Sequence, residues 1–402
     1  MTSSSINNSR IKRRMKKLMI GIAILAAILI GIRSVVPTHI DKSRNHVMQH
    51  QPYKLSNSSK SFHQSLFIGD WHSDSTLWNR NLLEKANHGH MDLPRLKTGN
   101  VALQMFTTTT KSPRNQNYNN NDANSLDNIT LLAIVQGWPF RTWFNLTERA
   151  IYQAAKLKNA IKNSPSSFTL ITNRQELAAL INAREQGNEI VGAMLGTEGS
   201  HALEGNIDNI KKLYDEGFRM MSLQHFFDNR LGGSLHGRSN AGLTAFGREV
   251  IQALNAQSII IDVSHSSPQA VSDVLSISTS PIVVSHTGLY GFCPSARNIS
   301  DTLMKEIAAK GGIIALGYWP AAACDTSPQQ IAKQIAYGID LVGAQHISLG
   351  SDFDGAVTTG IDTSELAIIT QELLKLEVST SDIKRVMGEN MKNFLLKQLP
   401  EK

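Results

Sequence analysis

Eight short apolar runs punctuate the chain, and most of them end on a side chain able to do chemistry. In order they are SLFIGDWHSD, ending at His72 and Asp74; VALQMF, at Phe106; EIVGAMLGTEG, at Glu198; and FRMMSLQH, at His225. SIIIDVSH then ends at His265, PIVVSH at His286, GIIALGYW at Trp319 and HISLGSD at Asp352. Each is strand-length and rich in Ile, Val, Leu and Met with little alternation, the pattern of parallel strands buried on both faces. Helical periodicity fills the gaps: Phe246, Val250, Ile251 and Leu254 follow Thr244, while Leu303, Ile307 and Ala308 follow Ser300 and Asp301 and are closed by Gly311 and Gly312. Strand alternating with helix in this way is the sequence form of an α/β fold, a (β/α)8 barrel of the TIM type. The polar residues then gather at the C-terminal strand ends, where such barrels carry their chemistry.

The 402 residues accommodate one such barrel, typically about 250 residues, with insertions; the domain is expected over residues 64–398. The net charge of +7 changes meaning once it is located. Residues 1–33 hold Arg10, Lys12, Arg13, Arg14, Lys16, Lys17 and Arg33 and no acid; removing these seven from the 40 basic residues leaves 33 against 33 acidic ones. A neutral body gives no support to a nucleic-acid partner.

The basic cluster precedes an uninterrupted apolar stretch from Leu18 to Ile32, which as a helix spans about 22 Å against a hydrocarbon core of about 30 Å. Counting on past a snorkelling Arg33 to Val36 nearly closes the gap. Residues 1–36 are therefore expected to form a basic n-region and an uncleaved membrane anchor, since no convincing small-x-small site follows as a cleaved signal peptide requires. Positive residues before the span place the barrel on the extracytoplasmic side, periplasmic or extracellular. Residues 37–63 are expected to be a tether.

Thr107–Thr130, directly after the second strand, is a polar, Asn-rich stretch readable as a lid over the active face or as plain disorder. Asn128 and Asn145 begin Asn-x-Ser/Thr triplets, which matter only in a eukaryotic secretory pathway. The only two cysteines, Cys293 and Cys324, fall in the loops after strands six and seven; a bridge there is plausible in an oxidising compartment, and two separate buried thiols are the other reading.

His72, Asp74, Glu198, His265 and His286 are the ligand types that suit zinc. If Glu198 bridges, His72 and Asp74 complete one site and His265 with His286 the other, a binuclear arrangement that acidifies a shared water to about pKa 7. The chain at this point resembles the membrane dipeptidase (renal dipeptidase) family of zinc metallopeptidases. The matching segments are HSD at His72–Asp74, GHMDLPRLKTGNVALQMF from Gly89, EGSHALEGN from Glu198 and GLTAFGREVIQALN from Gly242, followed by IIDVSH, SHTGLYGFCPSARN, GSDFDG and MGENMKNFL. They run co-linearly over about residues 64–398.

The resemblance implies two zinc ions, the first held at His72 and Asp74, the second at His265 and His286, with Glu198 between them. It further implies that His225 contacts the substrate and donates to the carbonyl oxygen as charge builds there. Arg297 would bind the substrate carboxylate with its planar fork of donors, and Asp352 would move protons between the attacking water and the leaving amine. It implies a disulfide between Cys293 and Cys324, tolerance of a C-terminal D-residue, β-lactam hydrolysis and, with no interface legible here, a homodimer. The segment HFFDNRLGGS after the fourth-strand histidine departs from the family's Asn-rich pattern, and GYWP leaves open whether Tyr318 or Trp319 lines the pocket.

Position separates the competing residues. Glu204 lies farther from its strand than Glu198; His201 and His236 read as supporting histidines; His88 and His90 follow no strand and read as structural, His90 with Asp92 supporting a turn. Arg230 and Arg238 compete with Arg297, and Asp354 with Asp352, two residues apart and so expected on one face. The leading expectation is a zinc dipeptidase acting on small dipeptides. Its rivals are a zinc amidase or deacylase acting on N-acyl amino acids or cell-wall fragments, and a surface binding protein that has kept the fold.

Overall fold

The computed structural model describes residues 3–402, without the side chains of residues 3–9, 11, 25, 26, 28 and 29. Eight parallel strands form the barrel: β1 (Ile68–Asp70), β2 (Val101–Thr109), β3 (Val191–Glu198), β4 (Phe218–Ser222), β5 (Ile260–Asp262), β6 (Val283–Thr287), β7 (Ile313–Leu316) and β8 (Ile347–Leu349). Each pairs with the next in sequence, and the ring closes where Leu349 of β8 stands in register with Asp70 of β1. The longest seam joins β2 to β3, from Leu103 opposite Gly192 to Thr109 opposite Glu198.

Every residue of these strands is buried, which is why their sequences do not alternate. Leu103, Met105, Met194, Met220, Ile260, Val283 and Ile313 join one apolar cluster. Along β2, Leu103 and Met105 share a face with Thr107 and Thr109, so that cluster forms the floor on which the polar strand ends stand.

The helices start where their caps say they should. Thr244, Ser267, Ser300 and Ser327 each accept a hydrogen bond from the amide three residues on, opening Ala245–Ala256, Pro268–Ile277, Asp301–Ala309 and Pro328–Val342. Cys293 and Cys324 form a disulfide that ties the loop after β6 to the loop after β7.

Several expectations change. The second strand does not stop at Phe106 but continues through Thr107–Thr109, because β-branched threonines extend a strand as readily as apolar residues do. The polar stretch is correspondingly shorter: Asp127 accepts from the amides of Ile129 and Thr130 and opens a helix over Asn128–Val135. Asn145, read as a glycosylation triplet, caps the helix Leu146–Asn163. A further short strand, Phe168–Leu170, pairs with β3 and carries too few apolar residues to stand out in the sequence.

The amino-terminal region also differs. One helix runs Ser3–Arg44, so the expected tether begins inside it, and residues 46–47 then pair in parallel with residues 358–359. A second helix, Asn57–Gln64, follows, capped by Ser56. Among the described residues no helix is long and apolar enough to cross a membrane; four side chains of the apolar stretch, at 25, 26, 28 and 29, lie outside the described ones.

Candidate metal centre

The polar strand ends converge on one carboxylate. The Nε2 atoms of His72, His265 and His286 each stand 3.4 Å from Glu198 Oε1. Two ligands about 2.1 Å from one tetrahedral ion stand roughly 3.4 Å apart, so these separations are those of side chains sharing a cation. The other oxygen, Oε2, accepts from Thr109 Oγ1 at 2.8 Å and faces His225 Nε2 at 3.5 Å. Asp74 Oδ2 and Asp352 Oδ1 approach His72 Nε2 to 3.8 and 3.9 Å. All these groups are buried. Two overlapping sets of donors result, His72, Glu198, His286 and Asp352 in one, Glu198, His225 and His265 in the other, with Asp74 at the edge of the first.

The histidines are set for ligation by a shared hydroxyl. Asp262, buried at the end of β5, accepts from the amides of Ser264 and Ser285 and, at 2.6 Å, from Ser285 Oγ. With its proton committed to Asp262, Ser285 Oγ is free to accept, and the Nδ1 atoms of both His72 and His286 lie 3.0 Å from it. A proton on Nδ1 of each ring satisfies that oxygen and leaves Nε2 to face the cluster, as a metal-binding imidazole requires. Thr107 Oγ1 donates to Asp74 Oδ1 at 2.7 Å and fixes that carboxylate beside His72.

The electrostatics ask for positive charge at this point. Burial raises the carboxyl of Asp74, with the Glu198 charge adding to it, and burial likewise pushes Asp352 well above the usual carboxylate range. Burial opposes the charge on Glu198 too, yet the His225 charge and bonds from His265 and His72 hold it well below that range. His265 and His286 are pushed well down, first by burial, and so are neutral donors. His72 goes the other way: burial lowers it, but Asp74 and Glu198 outweigh burial and raise it well above an ordinary histidine. The carboxylates thus draw a cation to the point the Nε2 atoms face, and the donor set fits a metal ion.

The substrate side is equally organised. Arg297 is buried, donates from Nη2 to the His286 carbonyl and stacks over Trp319 at 5.3 Å, with no carboxylate partner among the described residues. Trp319, not Tyr318, faces the site, its ring 6.0 Å from His286; Tyr318 packs on Phe353 away from it. Arg238 instead pairs with Asp122 on the surface, and Glu204 accepts from Thr147. His236 and His201 are buried supports: His236 packs on Phe226 and His265, His201 on Phe227. His90 stacks on Phe353 beside Asp354, and Asp92 caps the helix Leu93–Thr98, as a structural role predicts.

Asp352 and Asp354 do not share a face. The strand ends at Leu349, and both residues take left-handed backbone angles, φ 57° and 64°, so strand alternation no longer applies. Asp352 turns toward the cluster while Asp354 is buried against Arg80 at 2.7 Å.

Residues that the strand pattern did not single out complete the site: Thr107, Thr109, Asp262, Ser285 and Tyr118. Tyr118 belongs to the polar stretch after β2, which is folded over the site: His236 Nδ1 donates to the Tyr118 carbonyl at 2.8 Å, and Asn121 bonds back to the His236 carbonyl. Its phenol is raised by burial and in turn lies within the field of Arg297. The signal available was that Tyr118 is the only aromatic residue between Thr107 and Thr130.

A parallel barrel carrying a buried histidine and carboxylate cluster at its C-terminal strand ends defines a metal-dependent hydrolase. The family model described as membrane dipeptidase (peptidase family M19) matches residues 57–397, and the chain belongs to that family of metallodipeptidases. It is similar to dipeptidase aclJ of Aspergillus oryzae, 26% identical over 349 residues that cover 82% of this chain and 77% of the relative. Among solved structures, the probable dipeptidase PvdM of Pseudomonas aeruginosa superposes with a TM-score of 0.71 at 17% identity, covering 85% of this chain and 97% of its own. A metallopeptidase from Rhodobacter sphaeroides, liganded with a phosphinate mimic of the dipeptide L-Ala-D-Ala, gives a TM-score of 0.66 at 20% identity over 83% and 99%. At such identities the structural likenesses carry the fold alone.

Proposed function

We propose that this metallodipeptidase is a binuclear zinc enzyme that hydrolyses small dipeptides, including those ending in a D-residue. The observation that carries the reading is the approach of three Nε2 atoms to one Glu198 oxygen, each at 3.4 Å. His72, Asp74 and Glu198 would hold one ion and Glu198, His265 and His286 the other; His286 Nε2, which belongs to the first donor set, also lies 2.9 Å from His265 Nε2 and so within reach of the second. Zinc so held supplies an acidified water and a Lewis acid for the scissile carbonyl.

The chain's own residues do the rest. Arg297, without a carboxylate ion-pair partner among the described residues and stacked over Trp319, holds the substrate's C-terminal carboxylate. His225, oriented by a hydrogen bond from Nδ1 to the Lys111 carbonyl, presents Nε2 beside Glu198, where it steadies the developing oxyanion. Asp352 accepts a proton from the attacking water and delivers it to the departing amine. Tyr118, Phe226 and Trp319 close over the site, which favours a substrate with a short reach.

The test is amino-acid release by the full chain from Gly-D-Ala, Gly-L-Ala, their N-acetyl forms and their C-terminal amides, before and after chelation and zinc replacement. Zinc-restored cleavage of the free dipeptides is expected. The amides, which offer Arg297 no carboxylate, should be cleaved about 10- to 100-fold less efficiently, the worth of one charged hydrogen-bonded contact. Cleavage of the N-acetyl forms alone would replace this reading with a deacylase.

We also propose that residues 1–36 anchor the chain with the barrel on the extracytoplasmic side. The support is the basic cluster before the apolar stretch and the exposure of its described side chains, such as Leu18, Ile22 and Ile30. The expected result is recovery of the chain in membranes after an alkaline carbonate wash; release into the supernatant would sink the anchor.

A further inference from the structure

The family match begins at residue 57, yet part of the active face is built by residues before it. Asp41, buried in the last turn of the long amino-terminal helix, lies 2.9 Å from Arg80 Nε and accepts from Asn45 Nδ2 at 2.7 Å. The Arg80 side chain, 6% exposed, spans from Asp41 to Asp354, and Asp354 also accepts from Ser75 Oγ at 2.5 Å and from the His90 amide at 2.8 Å. Asn45 Oδ1 accepts from the Ala356 amide at 2.9 Å. The backbone then continues the contact, His46 and Val47 standing in parallel register with Thr358 and Thr359.

All these ties lead to one segment, the loop after β8 that carries Asp352. Asp352, Asp354 and Ala356 alternate in the left-handed region at φ 57°, 64° and 61°, a conformation uncommon for residues that carry a side chain, though less so for Asp than for Ala. The loop's first half is held by Asp70, His72, Asp74, Trp78 and His90, which bond to Ser351, Phe353 and Asp354, and its second half by residues 41–48, through one ion-pair relay, one side-chain cap on a backbone amide and one strand pairing.

We propose that residues 41–48 are a positioning element of the active site: through Asp41, Asn45 and the pairing at His46–Val47 they hold the loop after β8 so that the Asp352 carboxylate meets the metal cluster. The proposal rests on the role given to Asp352 above. The segment touches neither substrate nor metal, and its effect is transmitted through Arg80 and the backbone of Ala356. Catalysis then depends on a segment outside the family's matched stretch, and a fragment starting near residue 60 would keep the ligands and lose their alignment with the proton carrier.

The experiment compares the full chain with N45A and D41N, and with D352N as reference, measuring kcat and KM on Gly-D-Ala, zinc content and thermal midpoint. Asn45→Ala removes only an amide side chain and is the variant least able to disrupt folding; Asp41→Asn removes one of the two carboxylates on Arg80. The expected result is a folded N45A with full zinc, a KM within about twofold of the parent and a kcat lowered by about 10- to 100-fold, the scale of a displacement of about 1 Å. D41N should fall in the same direction if it folds; if it does not, N45A decides. An unchanged kcat in folded N45A, whatever its thermal midpoint, overturns the proposal. So does a D352N chain that keeps its activity, and that outcome identifies the role of Asp352 as the failure.

Discussion

Glu198→Gln is expected to give a chain that binds at most one zinc, weakly, and whose dipeptidase activity falls to the uncatalysed background. The reason is the number of groups that depend on one carboxylate. Its Oε1 faces three imidazole nitrogens at 3.4 Å, and its Oε2 receives the Thr109 hydroxyl while facing His225. The amide has the same shape but no charge, and one of its two ends is a donor. It must turn that NH2 either toward Thr109 or toward the histidines, and a ligand is lost in both orientations. Removal of any single histidine leaves the shared oxygen in place and should cost only one ion. Metal analysis of gel-filtered E198Q beside H265A checks the asymmetry. Two tightly held ions in E198Q would remove Glu198 from the bridging role.

Much of this arrangement was legible in the sequence because barrel chemistry sits at strand ends, and a buried parallel strand announces itself by composition. His72, Glu198, His265 and His286 could be placed together once eight runs were counted, and the structure brings the three Nε2 atoms to 3.4 Å from Glu198 Oε1. What composition cannot convey is direction after a strand has ended. Asp352 and Asp354 share a parity and yet part company, since both sit in left-handed turns beyond Leu349. Ser285 was visible as half of a Ser-His pair, but its work depends on Asp262 lying across the seam from it, a contact between strands that no local pattern encodes. Asp41 was hidden for a related reason. A polar residue in the last turn of a long helix reads as solvated until its partners, Arg80 and beyond it Asp354, arrive from remote parts of the chain.

The expected tether and the polar stretch after β2 show a second limit. Both are poor in apolar residues, and by composition both suggest loose chain. Each is instead held by hydrogen bonds to remote parts of the chain: Asn45 to the Ala356 amide, Asn121 and the Tyr118 carbonyl to His236. Asn-rich chain packs by satisfying backbone groups rather than by burying carbon, and that mode has no hydrophobic period to detect.

Asp352→Asn is expected to lower kcat on Gly-D-Ala by about 10²- to 10⁴-fold, the range that positioned proton transfer contributes, while zinc content and KM stay near those of the parent. The substitution suits the position. Asparagine tolerates the left-handed angle of 57° better than alanine would, so the loop keeps its course and the change is confined to the proton. The carboxyl stands 3.9 Å from His72 Nε2, close enough to reach a water held by the cluster, whereas Asp354 is committed to Arg80. Burial, with the charges of Glu198 and Asp74 beside it, raises Asp352 well above the ordinary carboxylate range, although His72 and Arg297 pull the other way. A carboxyl held in that balance can take a proton from the water and still part with it to the leaving amine, which a fully stabilised carboxylate such as Asp354 could not do. Measuring kcat, KM and bound zinc for D352N separates this from a ligand role. Loss of zinc together with activity would make Asp352 a metal ligand, and full activity with full zinc would assign the proton to another group.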